Sequence, residues 1–462
     1  MINPPWVIGE DKNLWKEVAS SWPSLGLLYI ASVLEREGHF VSYLDCSAEH
    51  LTVSDTKEKL KMYFPFDFVL ITATTPLIKN ALKIANSAKK TYKNTKVVLG
   101  GVHPSVLPDD VIKDKNVDFV VIDEGEETAK ELINGVKIEK ILGLVYKKNG
   151  KIIKNPLRPL ISNLDSIPPP AYHLLSMDKY YPAIGSYKRL PAMSIFATRG
   201  CPGRCNFCYR TFRGIVRKRS AENIINEIKL LKNNFGIKEV SFYDDTFTLF
   251  KEEIKKFCKL MISEKIDISW SCFTRVDFVD GELLRLMKKA GCHLILFGVE
   301  SADETVLKRI NKRISLSQVK KIVKLSRKIG IETRASFMFG NLGDTEESIK
   351  KTIDFSLKLD PDEAQYNITT PYPGTELFNY AKEKRYIKTY NWDDYSISNV
   401  VLELPGLTKD KLQYYYEKAH RNFYFRPKII IRRLLNIKSV DQLKQEIRGA
   451  FALFNFFSQR EQ

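Results

Sequence analysis

Thr198-Arg-Gly-Cys201-Pro-Gly-Arg-Cys205-Asn-Phe-Cys208-Tyr209 is the stretch on which the reading of this chain turns. It comes directly after Met193–Thr198, an apolar run with the length and content of a buried strand. Three thiolates at CxxxCxxC spacing on one loop can hold three irons of a cubane cluster and leave the fourth iron open. Gly200, Pro202 and Gly203 let such a loop wrap tightly. With 7 cysteines in 462 residues, chance produces this triplet about 0.002 times per chain. The competing readings are a zinc site and buried structural thiols. Structural zinc wants four ligands, and no fourth Cys or His stands nearby in sequence.

Downstream of the triplet the chain alternates between strand and helix patterns. Candidate strands are 193–198, 239–243, 268–273, 294–299, 333–339 and 364–369, with helical spacing at 221–233, 251–263 and 315–328 between them. Six such units in series predict a partial (βα)6 barrel of the TIM type, whose chemistry sits on the loops after its strands. Upstream, a helix over 27–36 stops at Gly38, and strands are predicted at 39–45, 67–72, 96–101 and 118–123, with a Lys-rich helix at 78–92. This alternation predicts a doubly wound, Rossmann-like parallel sheet that binds ligands at its strand ends. The overall class is α/β. The predicted organisation is an N-terminal domain over 1–145, a linker over 146–190 broken by Asn149-Gly150 and Pro168-Pro169-Pro170, a barrel over 191–405, and a basic helical segment over 406–462.

The formal charge of +18 (73 Lys and Arg against 55 Asp and Glu) is spread along the chain and reads as a lysine-rich surface. The hydrophobic share of 44% argues against disorder. No apolar window of about twenty residues is present, as a spanning helix needs, and the start lacks the basic-then-apolar order of a secretion signal. The expectation is a cytoplasmic protein. Cys258, Cys272 and Cys292 lie in apolar patterns and read as small buried hydrophobes.

The cysteine triplet, with Phe207 before its last member, resembles the radical S-adenosylmethionine (SAM) superfamily. The resemblance implies a 4Fe–4S cluster on Cys201, Cys205 and Cys208, with SAM chelating the open iron and cleaved by an electron from the cluster to a 5′-deoxyadenosyl radical. It implies SAM contacts from Phe207, from Asp244 and Asp245 after the second strand, from Arg275 after the third and from Glu300 after the fourth. Taken from the residues alone, Asp244 and Asp245 read equally well as helix caps, and Arg275 as a partner of Asp277. Thr370-Pro-Tyr-Pro-Gly-Thr375 resembles a loop of the cobalamin-linked branch of this superfamily.

Residues 1–145 resemble the cobalamin-binding domain of that branch, through Ser24-Leu25-Gly26-Leu27, Thr72-Ala73-Thr74, Gly100-Gly101-Val102-His103 and Glu124-Gly125-Glu126-Glu127. Implied cobalamin contacts are Leu25, Gly26, Thr72, Thr74, Gly100, Gly101, His103 and Glu124. Paired glycines admit a large planar ligand close to the backbone, and short hydroxyls can bond its amide rim. The Asp-x-His-x-x-Gly pattern that places a histidine below cobalt is absent, and Asp123 stands where relatives carry glycine. The resemblance therefore implies cobalamin without a protein histidine on the metal.

The two resemblances together imply a cobalamin-dependent radical SAM methyltransferase acting on an unactivated carbon of a small-molecule or lipid-like substrate, reduced by a donor such as flavodoxin or ferredoxin. A non-methylating member, ring-forming or oxidative, is the alternative. An RNA methylthiotransferase would need a second cysteine triplet and a nucleic-acid-binding barrel, which are not seen, and nucleic acid is not an expected partner. A cobalamin sensor would not need the triplet. At the C-terminus, 420–433 and Phe451–Phe457 mix aromatics with cations, and two readings stand: a cap on the barrel, or peripheral contact with an anionic membrane.

Overall fold

The computed structural model of the chain describes residues 1–6, 20–62, 65–435, 437, 443–444 and 447–451. Its first sheet contains β1 (Ile2–Asn3), β2 (Leu44–Asp45), β3 (Phe68–Thr72), β4 (Lys96–Gly100), β5 (Phe119–Val121), β6 (Leu144–Lys148) and β7 (Lys151–Lys154), in the order β2-β1-β3-β4-β5-β6-β7. The first five are parallel. Continuous apolar runs make the central strands because both faces are covered. Val69, Ile71, Val97 and Leu99 pack with Ile78, Ala81, Ile84 and Ala88 of the helix Ile78–Thr91 on one side. Leu70 and Val98 pack with Leu34, Ala129 and Leu132 on the other. β1 pairs with β2 on one edge and β3 on the other, so a crevice opens at the C-terminal strand ends where the winding reverses.

Two expectations need correction. The strand predicted over 39–45 is formed only at Leu44–Asp45, because β1 offers it just two register positions, Ile2 and Asn3. The stretch 144–154 is no linker. Asn149 and Gly150, with φ of 51° and 74°, form a tight hairpin turn, and the hairpin extends the sheet, β6 antiparallel to β5 and β7 antiparallel to β6. The irregular connection begins only after Lys154 and runs through short 3-10 turns.

The second sheet holds six parallel strands: β8 (Ala192–Ile195), β11 (Glu239–Phe242), β12 (Ser269–Thr274), β13 (Cys292–Glu300), β14 (Glu332–Phe339) and β15 (Glu363–Ile368), in the order β15-β14-β13-β12-β11-β8. A two-stranded antiparallel ribbon, β9 (Thr198–Arg199) and β10 (Arg217–Lys218), stands after β8. Helices Ala221–Phe235, Lys251–Ser263, Gly281–Lys289, Leu316–Ile329 and Glu346–Leu359 cover the outer face. Trp270, fully buried, is the centre of an aromatic cluster with Phe242, Phe247 and Phe257, and its indole N–H donates to the Ala290 carbonyl at 2.7 Å. Cys258, Cys272 and Cys292 are buried in this same core.

The helix Lys409–Tyr424 packs on β15, with the Tyr424 hydroxyl donating to the Ala364 carbonyl at 2.7 Å. It thereby caps the barrel edge. The following helix Pro427–Leu435 buries Ile429 but exposes Ile430, Ile431, Leu434 and Leu435. Of the aromatic run Phe451–Phe457, only Phe451 is among the described residues, and it is exposed. No helix among the described residues is long and apolar enough to cross a membrane.

His420 is buried on Tyr366 and Tyr416, and burial pushes its pKa down to about 4 from 6.5. A depressed histidine pKa contributes stability that is present above the unfolded value and is lost as pH falls toward the folded one. From pH 7 to pH 5 that contribution should shrink by about 2 kcal/mol. The stability gap between wild type and His420→Phe should therefore narrow by that amount, read from urea unfolding at the two pH values. An unchanged gap means that His420 titrates normally in the fold.

Candidate functional site

The cysteine loop leaves the barrel through the β9–β10 ribbon. Gly200 has φ of 98°, and a Cβ there would collide with the Ile215 carbonyl, so the turn into Cys201 requires glycine. Asn206 fastens the loop from both sides: its amide NH2 donates to the Arg309 carbonyl at 3.0 Å, and its backbone carbonyl accepts from Leu377 N–H at 2.9 Å. Phe207 packs on Val306, Leu307 and Ile310, so it anchors the loop through apolar contact.

None of the three cysteines is in a disulfide. Cys201 Sγ lies 3.5 Å from Thr246 Oγ1 and accepts Gly203 N–H at 3.4 Å, while Cys205 Sγ lies 3.9 Å from the Asn311 carbonyl. Among the described residues no group of three or more His, Cys, Asp or Glu converges on a single ion position. Burial raises the Cys205 thiol pKa, and the charges of Lys312 and Arg275 work against that rise. Two cations thus stand ready to balance thiolates, which is the charge environment an anionic cluster needs.

Lys312 was not legible in the sequence. It is 7% exposed and its ammonium donates to Glu300 Oε1 at 2.7 Å. Glu300 itself adopts φ of 68°, and a Cβ on Gly298 would press on the Glu300 carboxylate and on Lys312 Nζ. Arg275 makes a two-bond pair with Asp277 at 3.0 and 2.9 Å and also donates to the carbonyls of Lys312 and Arg313. Arg275, Glu300 and Lys312 therefore form one assembly beside the thiols.

The adjacent carboxylates after β11 take different directions. Asp244 is 2% exposed and accepts from Ala197 N–H, Thr198 N–H and Thr198 Oγ1–H. Burial pushes its pKa up to about 6. Its oxygens are engaged in joining β8 to β11, so the expected contact from Asp244 to a ligand is not available. Asp245 is exposed and accepts from Thr211 Oγ1–H at 2.9 Å on the rim of a cleft.

That cleft, of about 350 Å³, opens where the two sheets meet. Gly26, Thr72, Gly100, Gly101 and Glu124, five of the eight residues for which cobalamin contact is expected, line it. Leu70, Val98 and Val121 make an apolar floor, and Phe196, Phe212 and Tyr243 close it from the barrel side. These last three carry no signal upstream of the barrel and could not have been assigned to an N-terminal site. The other expected residues fall elsewhere. Leu25 is buried in the core, and Thr74 is exposed ahead of the 3-10 turn Thr75–Leu77. His103 is 2% exposed, bonded to Thr75 Oγ1 and packed edge-on against Trp392. Glu124 borders the cleft, but its carboxylate takes bonds from Arg217, Arg199 and Ile161 N–H, which hold its pKa below the usual range although burial alone would raise it.

Thr198, Arg199 and Gly200 line the cleft and lead straight into Cys201. The two candidate sites are therefore neighbours on one wall. The Radical SAM superfamily model matches residues 195–356, and the B12 binding domain model matches residues 13–133. An uncharacterised methyltransferase of Pyrococcus horikoshii is 39% identical over 461 residues, covering 98% of either chain. The chain belongs to the cobalamin-dependent radical SAM enzymes. Another relative of this radical SAM family, the anaerobic magnesium-protoporphyrin IX monomethyl ester cyclase of Rubrivivax gelatinosus, is 28% identical over 421 residues, covering 88% of this chain and 75% of its own. Among solved structures, the cobalamin-dependent S-adenosylmethionine radical enzyme OxsB, with aqua-cobalamin and S-adenosylmethionine bound, superposes with a TM-score of 0.74 at 17% identity. It covers 98% of this chain and 71% of its own, a likeness of fold.

Proposed function

We propose that this radical SAM enzyme is a methyltransferase acting on an unactivated carbon of a small-molecule or lipid-like substrate. The observation that carries the reading is the shared wall: the loop bearing the three cysteines starts from residues that also line a cleft edged with glycines. The residues present fit both cofactors. Cys201, Cys205 and Cys208 supply a three-thiolate donor set, with buried Lys312 and Arg275 beside it. Gly26, Thr72, Gly100 and Gly101 offer exposed backbone and a hydroxyl over an apolar floor, as a large planar ring edged with amides requires. In this family the cluster and cobalamin supply, when bound, an electron for SAM cleavage and a methyl group.

The chain's own residues do the holding. Lys312 and Arg275, the cations beside the thiols, would pair with a carboxylate such as SAM carries, while Glu300 and Asp245 would accept from its amino or hydroxyl groups. Asp244 keeps the β8 and β11 tips together, so that the cysteine loop and the Asp245 rim stay in register. An external one-electron donor such as flavodoxin or ferredoxin is part of this reading.

The name of the 39% identical relative favours methyl transfer, and the 28% identical cyclase keeps a ring-forming reaction as the second reading. Anaerobic purification with iron, sulfide and hydroxocobalamin should yield about four irons and one cobalt per chain. Incubation with a low-potential reductant, which takes the cobalt from the +3 to the +1 state, and with SAM bearing a trideuterated methyl group should then label the cobalamin and release S-adenosylhomocysteine. Labelled cobalamin supports methyl transfer. Bound cobalamin that never acquires the label favours the cyclase reading, and iron without cobalt removes cobalamin from the reaction.

A further inference from the structure

The wall between cleft and cysteine loop is held by four buried charges, of which only Glu124 enters the cofactor reading above. Glu124 and Glu126 stand on the turn after β5, and Arg199 and Arg217 face each other across the β9–β10 ribbon. Arg199 Nη1 donates to Glu124 Oε1 and Nη2 to Glu126 Oε1, both at 2.7 Å. Arg217 Nη1 donates to the two Glu124 oxygens at 2.9 and 2.8 Å. The Arg199 guanidinium also lies over the Tyr29 ring, 5.1 Å from its centre, and Tyr29 lines the cleft.

A guanidinium shared by two carboxylates is a rigid planar fork, and it transmits displacement better than a flexible ammonium would. Arg199 is bonded through one intervening residue to Cys201. Its partners Glu124 and Glu126 belong to the other half of the molecule and border the cleft. A ligand that settles the cleft wall therefore also settles the base of the cysteine loop. Within the same network Arg217 Nε and Nη2 find no acceptor among the described residues.

We propose that Arg199 is a positioning residue that couples the two sites, so that assembly of the cluster and filling of the cleft by cobalamin favour one another. The proposal rests on the two-cofactor reading. Coupling of this kind is reciprocal, and a factor of about ten lies in the usual range.

The test uses the full chain prepared anaerobically with and without iron and sulfide, and measures the dissociation constant for hydroxocobalamin in both forms. Wild type should bind about tenfold more tightly with the cluster present. In Glu126→Gln, which keeps shape but removes the charge, and in Arg199→Lys, whose point charge cannot span both carboxylates, the ratio should fall to near one. Both variants should still take up iron. As a second readout, cobalamin should shift the electron paramagnetic resonance signal of the reduced cluster in wild type and leave it unshifted in the variants. A ratio of one in wild type, or an undiminished ratio in both variants, overturns the coupling. A wild-type chain that takes up no cobalt or no iron overturns the two-cofactor reading, and the coupling with it.

Discussion

Cys205→Ala is expected to strip the chain of iron while leaving its fold intact. Iron should fall from about four per chain to near zero, because the two remaining thiolates cannot retain a cubane. SAM cleavage should drop by at least about a thousandfold, equivalent to about 4 kcal/mol. Thermal stability should change little. The Cys205 sulfur makes one weak contact, 3.9 Å to the Asn311 carbonyl, and the loop is anchored separately by Asn206 and Phe207. Cobalamin should still bind, but about tenfold more weakly, as the coupling proposed above requires. Iron analysis and anaerobic assay of 5′-deoxyadenosine check this directly. Retention of four irons in the variant would mean that the triplet is not the ligand set.

The second large effect is expected at Gly101, and it should take the other cofactor. Gly101 has φ of 99°, and a Cβ there would sit 2.8 Å from Thr72 Oγ1 and 2.9 Å from the Ala73 carbonyl oxygen. The positive φ and the clash with backbone together should cost Gly101→Ala about 2–4 kcal/mol. The floor of the cleft then shifts, and cobalt content should fall at least tenfold while the cysteine loop, carried by the other sheet, keeps its iron. Gly26→Ala is the control. Its Cβ would meet nothing within 4 Å, so unfolding should be unchanged, and any loss of cobalt there reports the approach of the ligand itself. Opposite cofactor losses in Cys205→Ala and Gly101→Ala would establish two separable sites. Simultaneous loss of iron and cobalt in Gly101→Ala would show instead that the variant fails to fold.

Much of this architecture could be read from local patterns. Five of the six barrel strands begin and end within two residues of their predicted limits, and the first, β8, stops at Ile195 three residues before its predicted end at Thr198, because long apolar runs buried on both faces leave little freedom in their placement. The hairpin over 144–154 was missed for the converse reason. Its strands are short, and Asn-Gly reads as a break or as a tight turn depending on whether a sheet edge waits to be extended. Likewise His103 sits in a motif suggestive of a ligand, yet its ring is taken up by Thr75 and Trp392, the latter almost three hundred residues away in the chain.

By itself the sequence determined the three-cysteine loop, the strand that precedes it and the glycines that line the cleft, since each depends on spacing within a few residues. Only the tertiary structure decided which side chains are free to act. Asp244 and Asp245 are adjacent, but successive residues at a strand end point to opposite sides, so one is spent on backbone N–H groups and the other borders the cleft. Lys312 joins Glu300, and Arg199 meets Glu124 and Glu126, through sheet order and the packing of one half on the other. Hydrogen bonds and ion pairs act over about 3 Å, and no pattern along the chain encodes which distant residues come within that range.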